Sequence, residues 1–189
     1  NTLLSYLVLD KSIGLKTVYD QFQSATNMTD KTSALNLLIN HDKDDTYASS
    51  ALADFYCQYK NENLVVNLWL QLQATNQQPG GLSRVQSLME HESFSIKNPN
   101  KVRSLIGSFA SSNHLNFHDK LGTGYEFLGE QILKLNTLNP QVAARLVTPL
   151  TRWSDYEEPY ANLMKKQLKV IKASPGLVSD VYEVVTKSL

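Results

Sequence analysis

Asn98-Pro99-Asn100-Lys101-Val102-Arg103-Ser104-Leu105-Ile106 and Asn139-Pro140-Gln141-Val142-Ala143-Ala144-Arg145-Leu146-Val147 are two helix starts written almost alike. In each, Asn can cap the orphan amides of the first turn, while Pro takes the first helical position, where its missing N–H costs nothing. Each then sets an Arg and an aliphatic pair into the opening turns. The spacing between the two Asn-Pro pairs falls within the roughly 40–47 residues of HEAT and armadillo repeats. Stacked antiparallel helices are the architecture this predicts. Between the two starts, Phe117-His118-Asp119-Lys120-Leu121-Gly122-Thr123-Gly124-Tyr125 reads as a Gly-containing loop that opens the next helix.

Outward from this stretch the punctuation is lopsided. All six Pro and seven of the eight Gly lie at or after Pro79, and before it Gly14 stands by itself. The first part of the chain should therefore be nearly continuous helix with short polar turns. Leu3, Leu4, Leu7 and Val8 keep a helical stripe; Leu15, Val18, Tyr19 and Phe22 keep another. Thr29 or Asp30 is read as the cap of a helix carrying Leu35, Leu37, Leu38 and Ile39. The charged turn His41-Asp42-Lys43-Asp44-Asp45 suits a solvated loop that supplies an N-cap, since it lacks the full ligand pattern of a calcium loop. Leu52, Phe55, Tyr56 and Tyr59 build an aromatic face, and Leu64, Leu68, Trp69 and Leu72 repeat the theme. Gln77-Gln78-Pro79-Gly80-Gly81 is the clearest turn, followed by a helix with Leu82, Val85, Leu88 and Met89. Tyr125, Leu128, Ile132 and Leu135 form the helix after the Gly loop. Pro149 should kink or end the helix begun at Asn139. Leu163, Leu168 and Ile171, then Val178, Val181, Tyr182 and Val185, supply the last two. The fold class is all-α: stacked antiparallel helix pairs in a HEAT/armadillo-like superhelix of ten or eleven helices, one domain over residues 1–189.

Bulk properties set further bounds. The 189 residues are 42% hydrophobic and 19% charged, as in an ordinary globular domain. A chain of this length buries roughly 70% of its unfolded surface and needs no staples. Eighteen basic residues balance eighteen acidic ones, which argues against nucleic-acid or anionic-membrane partners. Cys57 has no second cysteine to bond and fits a reducing compartment. No apolar run approaches the roughly 18 residues of a membrane span. Asn27-Met28-Thr29 matches a glycosylation sequon but reads better as a helix cap. The opening Asn1-Thr2-Leu3-Leu4-Ser5 carries no signal-peptide features and reads as a chain cut inside a helix.

No complete catalytic or metal constellation can be assembled from the residues. His91-Glu92-Ser93-Phe94-Ser95 begins like a zincin helix, but the second His that would complete it is Ser95. His91 is read instead as facing the negative end of a helix. His114 and His118 have metal-ligand spacing, yet Asn113 and Asn116 indicate a loop, in which His118 would make a loop-fixing hydrogen bond. Glu157-Glu158 suit the first turn of a helix, where acids meet its dipole. What remains is a recognition surface. Gln141 and Arg145 are four apart and share a helix face, and Arg103 holds the matching place in the earlier helix. If the repeats align these helices, Arg103 and Arg145 border one concave wall, each offering a planar fork to a carboxylate or carbonyl. The other reading makes both surface or interhelical salt-bridge residues.

The stretch Asn98 to Phe109, the Phe117-His118 pair, Gly122-Thr123-Gly124-Tyr125 and Asn139-Pro140-Gln141-Val142-Ala143 together resemble the C-terminal helical domain of bacterial aminopeptidase N. Asn27-Met28-Thr29-Asp30, Leu72-Gln73-Ala74-Thr75 and Asp180-Val181-Tyr182-Glu183 extend the resemblance along nearly the whole chain. That family comprises zinc-dependent gluzincins that remove N-terminal residues from peptides. The resemblance implies a superhelix that closes over a catalytic domain and encloses a channel, bordered by the positions matching Arg103, Gln141 and Arg145. The family's H-E-x-x-H zinc site with its distant Glu, and its Gly-x-Met-Glu-Asn amine clamp, have no counterpart here. The resemblance therefore implies that zinc belongs to the full-length enzyme and not to this segment, which by itself should hydrolyse nothing. The implied partners are the catalytic domain of the same polypeptide and peptide substrates. The competing reading is a stand-alone helical-repeat module that holds a protein partner in its concave face. Its end helices should be polar, whereas the N-terminal helix here is apolar.

Overall fold

The computed structural model describes residues 1–10 and 13–189. Among these there are twelve helices and no strand. They are α1 (Thr2–Leu7), α2 (Gly14–Ser24), α3 (Met28–His41), α4 (Ala48–Tyr59), α5 (Asn63–Ala74), α6 (Gly81–Met89), α7 (99–112), α8 (His114–Phe117), α9 (Thr123–Leu138), α10 (140–151), α11 (Tyr160–Ala173) and α12 (Ser179–Ser188). Helix α7 has α-helical turns Pro99–Val102 and Ser108–Ser112 on either side of a π-helical stretch, Arg103–Gly107. Helix α10 joins Pro140–Leu146 to Thr148–Thr151 through Val147, with Pro149 in the first turn of the second piece. That break sits where Pro149 was expected to interrupt the helix, because its ring removes a donor and crowds the preceding turn. A 3-10 turn, Trp153–Asp155, leads toward α11.

Local chemistry explains most boundaries. Asn98 Oδ1 accepts from the amides of Asn100 and Lys101 at 3.0 and 3.4 Å, and Asn139 Oδ1 accepts from Val142 at 3.2 Å. Asn27 caps α3 by accepting from Asp30 N at 2.9 Å, so the cap lies ahead of the Thr29 or Asp30 expected for it. Asp42 is buried, and its carboxylate gathers the amides of Thr46, Tyr47 and Ala48 at 3.1, 2.6 and 2.9 Å, holding the start of α4. Gly80 and Gly122 occupy the left-handed region, with φ of 82° and 75°, at the caps of α6 and α9, where a side chain would be strained.

Three expectations need correction. The helix count exceeds ten or eleven by the single turn α8, which Asn113 and Asn116 had suggested was loop. Asn113 is instead its N-cap, accepting from Asn116 N at 3.3 Å. On α5 the buried positions are Val66, Trp69, Leu70, Gln73 and Ala74, while Leu64 is 81% exposed. The helix is thus rotated from the face that its Leu residues suggested. Glu157 and Glu158 lie ahead of α11, whose first turn contains no acid.

Each helix packs on the next, with further contacts between α5 and α7, α6 and α8, α9 and α11, and α10 and α12. This is the stacking of antiparallel pairs, and it buries one continuous apolar cluster running from Leu4 to Val185. Its centre is aromatic: Phe109 meets Phe117 and Phe127 edge-on at 5.8 and 6.1 Å, and Phe117 meets Tyr125 at 5.2 Å. That cluster fixes α7, α8 and α9 together, and α9 in turn carries α10.

Candidate functional site

The face shared by α7 and α10 brings together both arginines singled out in the sequence, Arg103 and Arg145. Val102, Leu105 and Ile106 turn into the core from α7, as do Val142, Ala143, Leu146 and Val147 from α10. With those positions buried, Arg103 and Arg145 fall on the outer side, and both are exposed. They line one furrow of about 300 Å³ together with Gly107, Ser108, Ser111, Ser112, Val142, Leu146, Thr148 and Pro149. Gln141 is exposed on the same helix but does not line the furrow. So Arg103 and Arg145 share a wall, and Gln141 stands beside it.

Neither guanidinium is neutralised by a carboxylate among the described residues. Arg103 donates to the Asn100 side-chain oxygen, a neutral partner within its own helix. The three ion pairs among the described residues involve Lys16–Asp20, Arg152–Asp155 and Lys187–Glu183. The interhelical salt bridges considered for Arg103 and Arg145 are therefore not formed. Arg103 also begins the π-helical stretch, whose wider turn is a common feature of functional helices.

A second cavity, about 220 Å³, continues the furrow. It is lined by Ala110, Ser111, His114, His118, Thr148, Pro149, Arg152 and Tyr156, and so shares Ser111, Thr148 and Pro149 with the first. Sequence reasoning missed Arg152 here. The seven-residue interval from Arg145 would return an unbroken helix to the same face, but Pro149 interrupts this one. At the inner wall, His118 Nδ1 lies 2.7 Å from the Tyr125 hydroxyl and Nε2 lies 3.2 Å from that of Tyr156. Burial, and then the charge of His114, push its pKa down to about 4. Burial pushes the Tyr125 phenol upward, aided by the charges of Tyr156, Asp119 and Tyr160, so it stays protonated. The His118 ring is thus a neutral bridge between two phenols, and the hydrogen bond anticipated for the loop is made.

His91 and His114 are also held by ring contacts. His91 Nδ1 lies 2.8 Å from the Ser93 hydroxyl, and its ring packs against Tyr56 and Trp69 at 4.9 and 5.2 Å. His114 stacks on His118 at 5.8 Å and 6°. Among the described residues no three His, Cys, Asp or Glu side chains converge as a metal site would require. The donor set needed for zinc is not supplied by these residues. Likewise, among the described residues, no helix is long and apolar enough to cross a membrane. At the far end of the stack, α1 exposes Leu3, Tyr6 and Leu7, with Leu9 just beyond.

Comparison with known proteins agrees with this architecture. A family model described as "Domain of unknown function (DUF3458_C) ARM repeats" matches residues 1–189. Aminopeptidase N of Haemophilus influenzae is 38% identical over 194 residues, covering 100% of this chain and 21% of the relative. Aminopeptidase N of Escherichia coli is 38% identical over 172 residues, covering 91% of this chain and 20% of the relative. Among solved structures, Legionella pneumophila aminopeptidase A in complex with aspartic acid superposes with a TM-score of 0.91. It is 34% identical, over 98% of this chain and 22% of that one. The chain spans about a fifth of the length of the curated relatives and matches their C-terminal part.

Proposed function

This chain belongs to the ARM-repeat family that forms the C-terminal helical part of aminopeptidase N, and from that premise we propose that it caps the active site of a cytoplasmic, zinc-dependent aminopeptidase and lines the route by which peptides enter. The observation that carries this reading is the α7–α10 furrow, where Arg103 and Arg145 stand free of carboxylates. A guanidinium without an internal anion keeps its donors for a peptide carbonyl or carboxylate. Gln141, exposed one turn before Arg145, adds an amide that can hydrogen-bond peptide backbone. The segment's own contribution is to hold and orient peptide. Zinc would be bound by other parts of the enzyme, where it would activate the water that attacks the scissile carbonyl. The exposed apolar side chains of α1 suit contact with the catalytic domain of the same polypeptide.

The test is a paired measurement of zinc content and hydrolysis of an alanyl chromogenic amide. One sample is this 189-residue chain; the other is the longer native polypeptide isolated intact. Zinc and activity confined to the longer protein support the capping role. A native polypeptide of this length that is inactive would overturn it in favour of a helical-repeat module binding a protein partner.

A further inference from the structure

We propose that the α7–α10 furrow selects peptide segments bearing acidic side chains, with carboxylates seated at Arg145 and Arg152. This rests on the reading that peptide lies along the furrow, and it names the class of peptide that fits. The two cavities share Ser111, Thr148 and Pro149, so they form one path past Arg103, Arg145 and Arg152. Among the described residues, no Asp or Glu lines either cavity. A chain with equal numbers of acidic and basic residues has therefore gathered three guanidiniums along one path without a lining acid. Such a path attracts anions and repels basic segments.

The layout of the path defines the ligand further. Arg145 lies in the first helical piece of α10 and Arg152 just past the second, beyond the break at Val147, so the two line successive cavities of the path. A peptide in polyproline II conformation rises about 3.1 Å per residue with three residues per turn. Residues i and i+3 then point the same way at roughly 9 Å, so a peptide with acids three apart presents both to the same wall. Gly107, Leu146 and Pro149 give the intervening residues an apolar floor. Arg152 already holds Asp155 at 2.9 Å, with both side chains more than half exposed. An exposed pair of this kind is weak, and a guanidinium has five donors, so a second carboxylate can join it.

The test titrates this chain with a fluorescent, doubly blocked peptide, acetyl-Ala-Glu-Ala-Ala-Glu-Ala-amide, followed by amide NMR shifts and anisotropy. Three comparisons accompany it: the same peptide with both Glu replaced by Gln, that Gln peptide with a free C-terminal carboxylate, and the Arg152→Gln protein. The inference requires shifts in residues 103–112 and 140–152 with the Glu peptide. The blocked Gln peptide should bind roughly tenfold more weakly, and Arg152→Gln should weaken Glu-peptide binding roughly three- to fivefold. Equal binding of both blocked peptides at the furrow overturns the acidic preference while leaving the peptide-wall reading intact. Binding that depends on the free C-terminal carboxylate, whatever the side chains, overturns it in favour of end recognition. If no peptide perturbs the furrow, both this inference and the peptide-wall reading fall.

Discussion

Arg103 on α7 and Arg145 on α10 face one furrow, and neither is paired with a carboxylate among the described residues. An exposed side chain without a partner contributes little to folding, typically within about 0.5 kcal/mol. Arg145→Ala in the full-length enzyme should therefore lower kcat/KM for peptides while leaving the melting temperature nearly unchanged. Gln141→Ala should act in the same direction but more weakly, because Gln141 lies outside the furrow. Steady-state kinetics on several peptides, paired with thermal melts, decides this. Unchanged kinetics with a large fall in melting temperature would make these residues structural.

Asn113 is fully buried and ties two helices together. Its side-chain amide donates to the Ala74 and Asn76 carbonyls at 2.9 and 2.8 Å, while its oxygen caps α8. Asn113→Ala strands both carbonyls and removes the cap. A loss of roughly 2–4 kcal/mol in urea unfolding is the expected outcome. A loss under about 1 kcal/mol would mean that water replaces the amide at little cost.

Two glycines should respond in opposite ways. A Cβ on Gly124 would lie 2.3 Å from the Phe117 carbonyl oxygen, so α8 and α9 would have to separate. Gly124→Ala should cost at least about 1–3 kcal/mol. On Gly107 the nearest atom would be Leu146 Cδ2 at 3.7 Å, an ordinary contact. Its backbone is helical, with φ of −61°, so Gly107→Ala should stabilise by roughly 0.5–1 kcal/mol. The added methyl also projects toward the furrow wall, so peptide affinity should fall even as stability rises. Denaturant midpoints and peptide titrations on the two variants separate these effects.

The sequence carried the helix boundaries better than the helix faces. Asn98-Pro99 and Asn139-Pro140 were legible because an N-cap acts within one turn of its own residue. The face of α5 was not. Leu64 is apolar yet 81% exposed, whereas polar Gln73 is buried and donates to the Trp69 carbonyl at 3.2 Å. Which face of a largely apolar helix is covered depends on its neighbours, here α4, α6 and α7. The furrow followed the same division. Arg103 and Arg145 were visible as matching places in two similar helix starts, but the addition of Arg152 required the actual path of α10 past Val147. Turn α8 was hidden because Asn serves loops and caps equally well.

His118 provides a pH test with a definite sign. Its nitrogens lie 2.7 and 3.2 Å from the hydroxyls of Tyr125 and Tyr156, and burial followed by the charge of His114 holds its pKa down to about 4. The ordinary value, near 6.5, applies to the unfolded chain. Between those values the unfolded chain binds a proton that the folded one refuses. The contribution of His118 is therefore fully present above about pH 6.5 and is lost as pH falls toward 4. The ring is only partly buried, so solvent screening limits the effect to the order of 1–2 kcal/mol. Asp119 titrates outside that window: burial raises its pKa, but bonds from the Thr123 hydroxyl and the Gly124 and Leu121 amides bring it below the usual value. Its contribution is lost only at more acid pH. Urea midpoints at pH 7.5, 5.5 and 4.5 for the native chain and His118→Gln isolate the imidazole, because all other groups are common to both. The native chain should lose more stability than the variant on acidification, and parallel curves would show that His118 is freely protonated in the folded state.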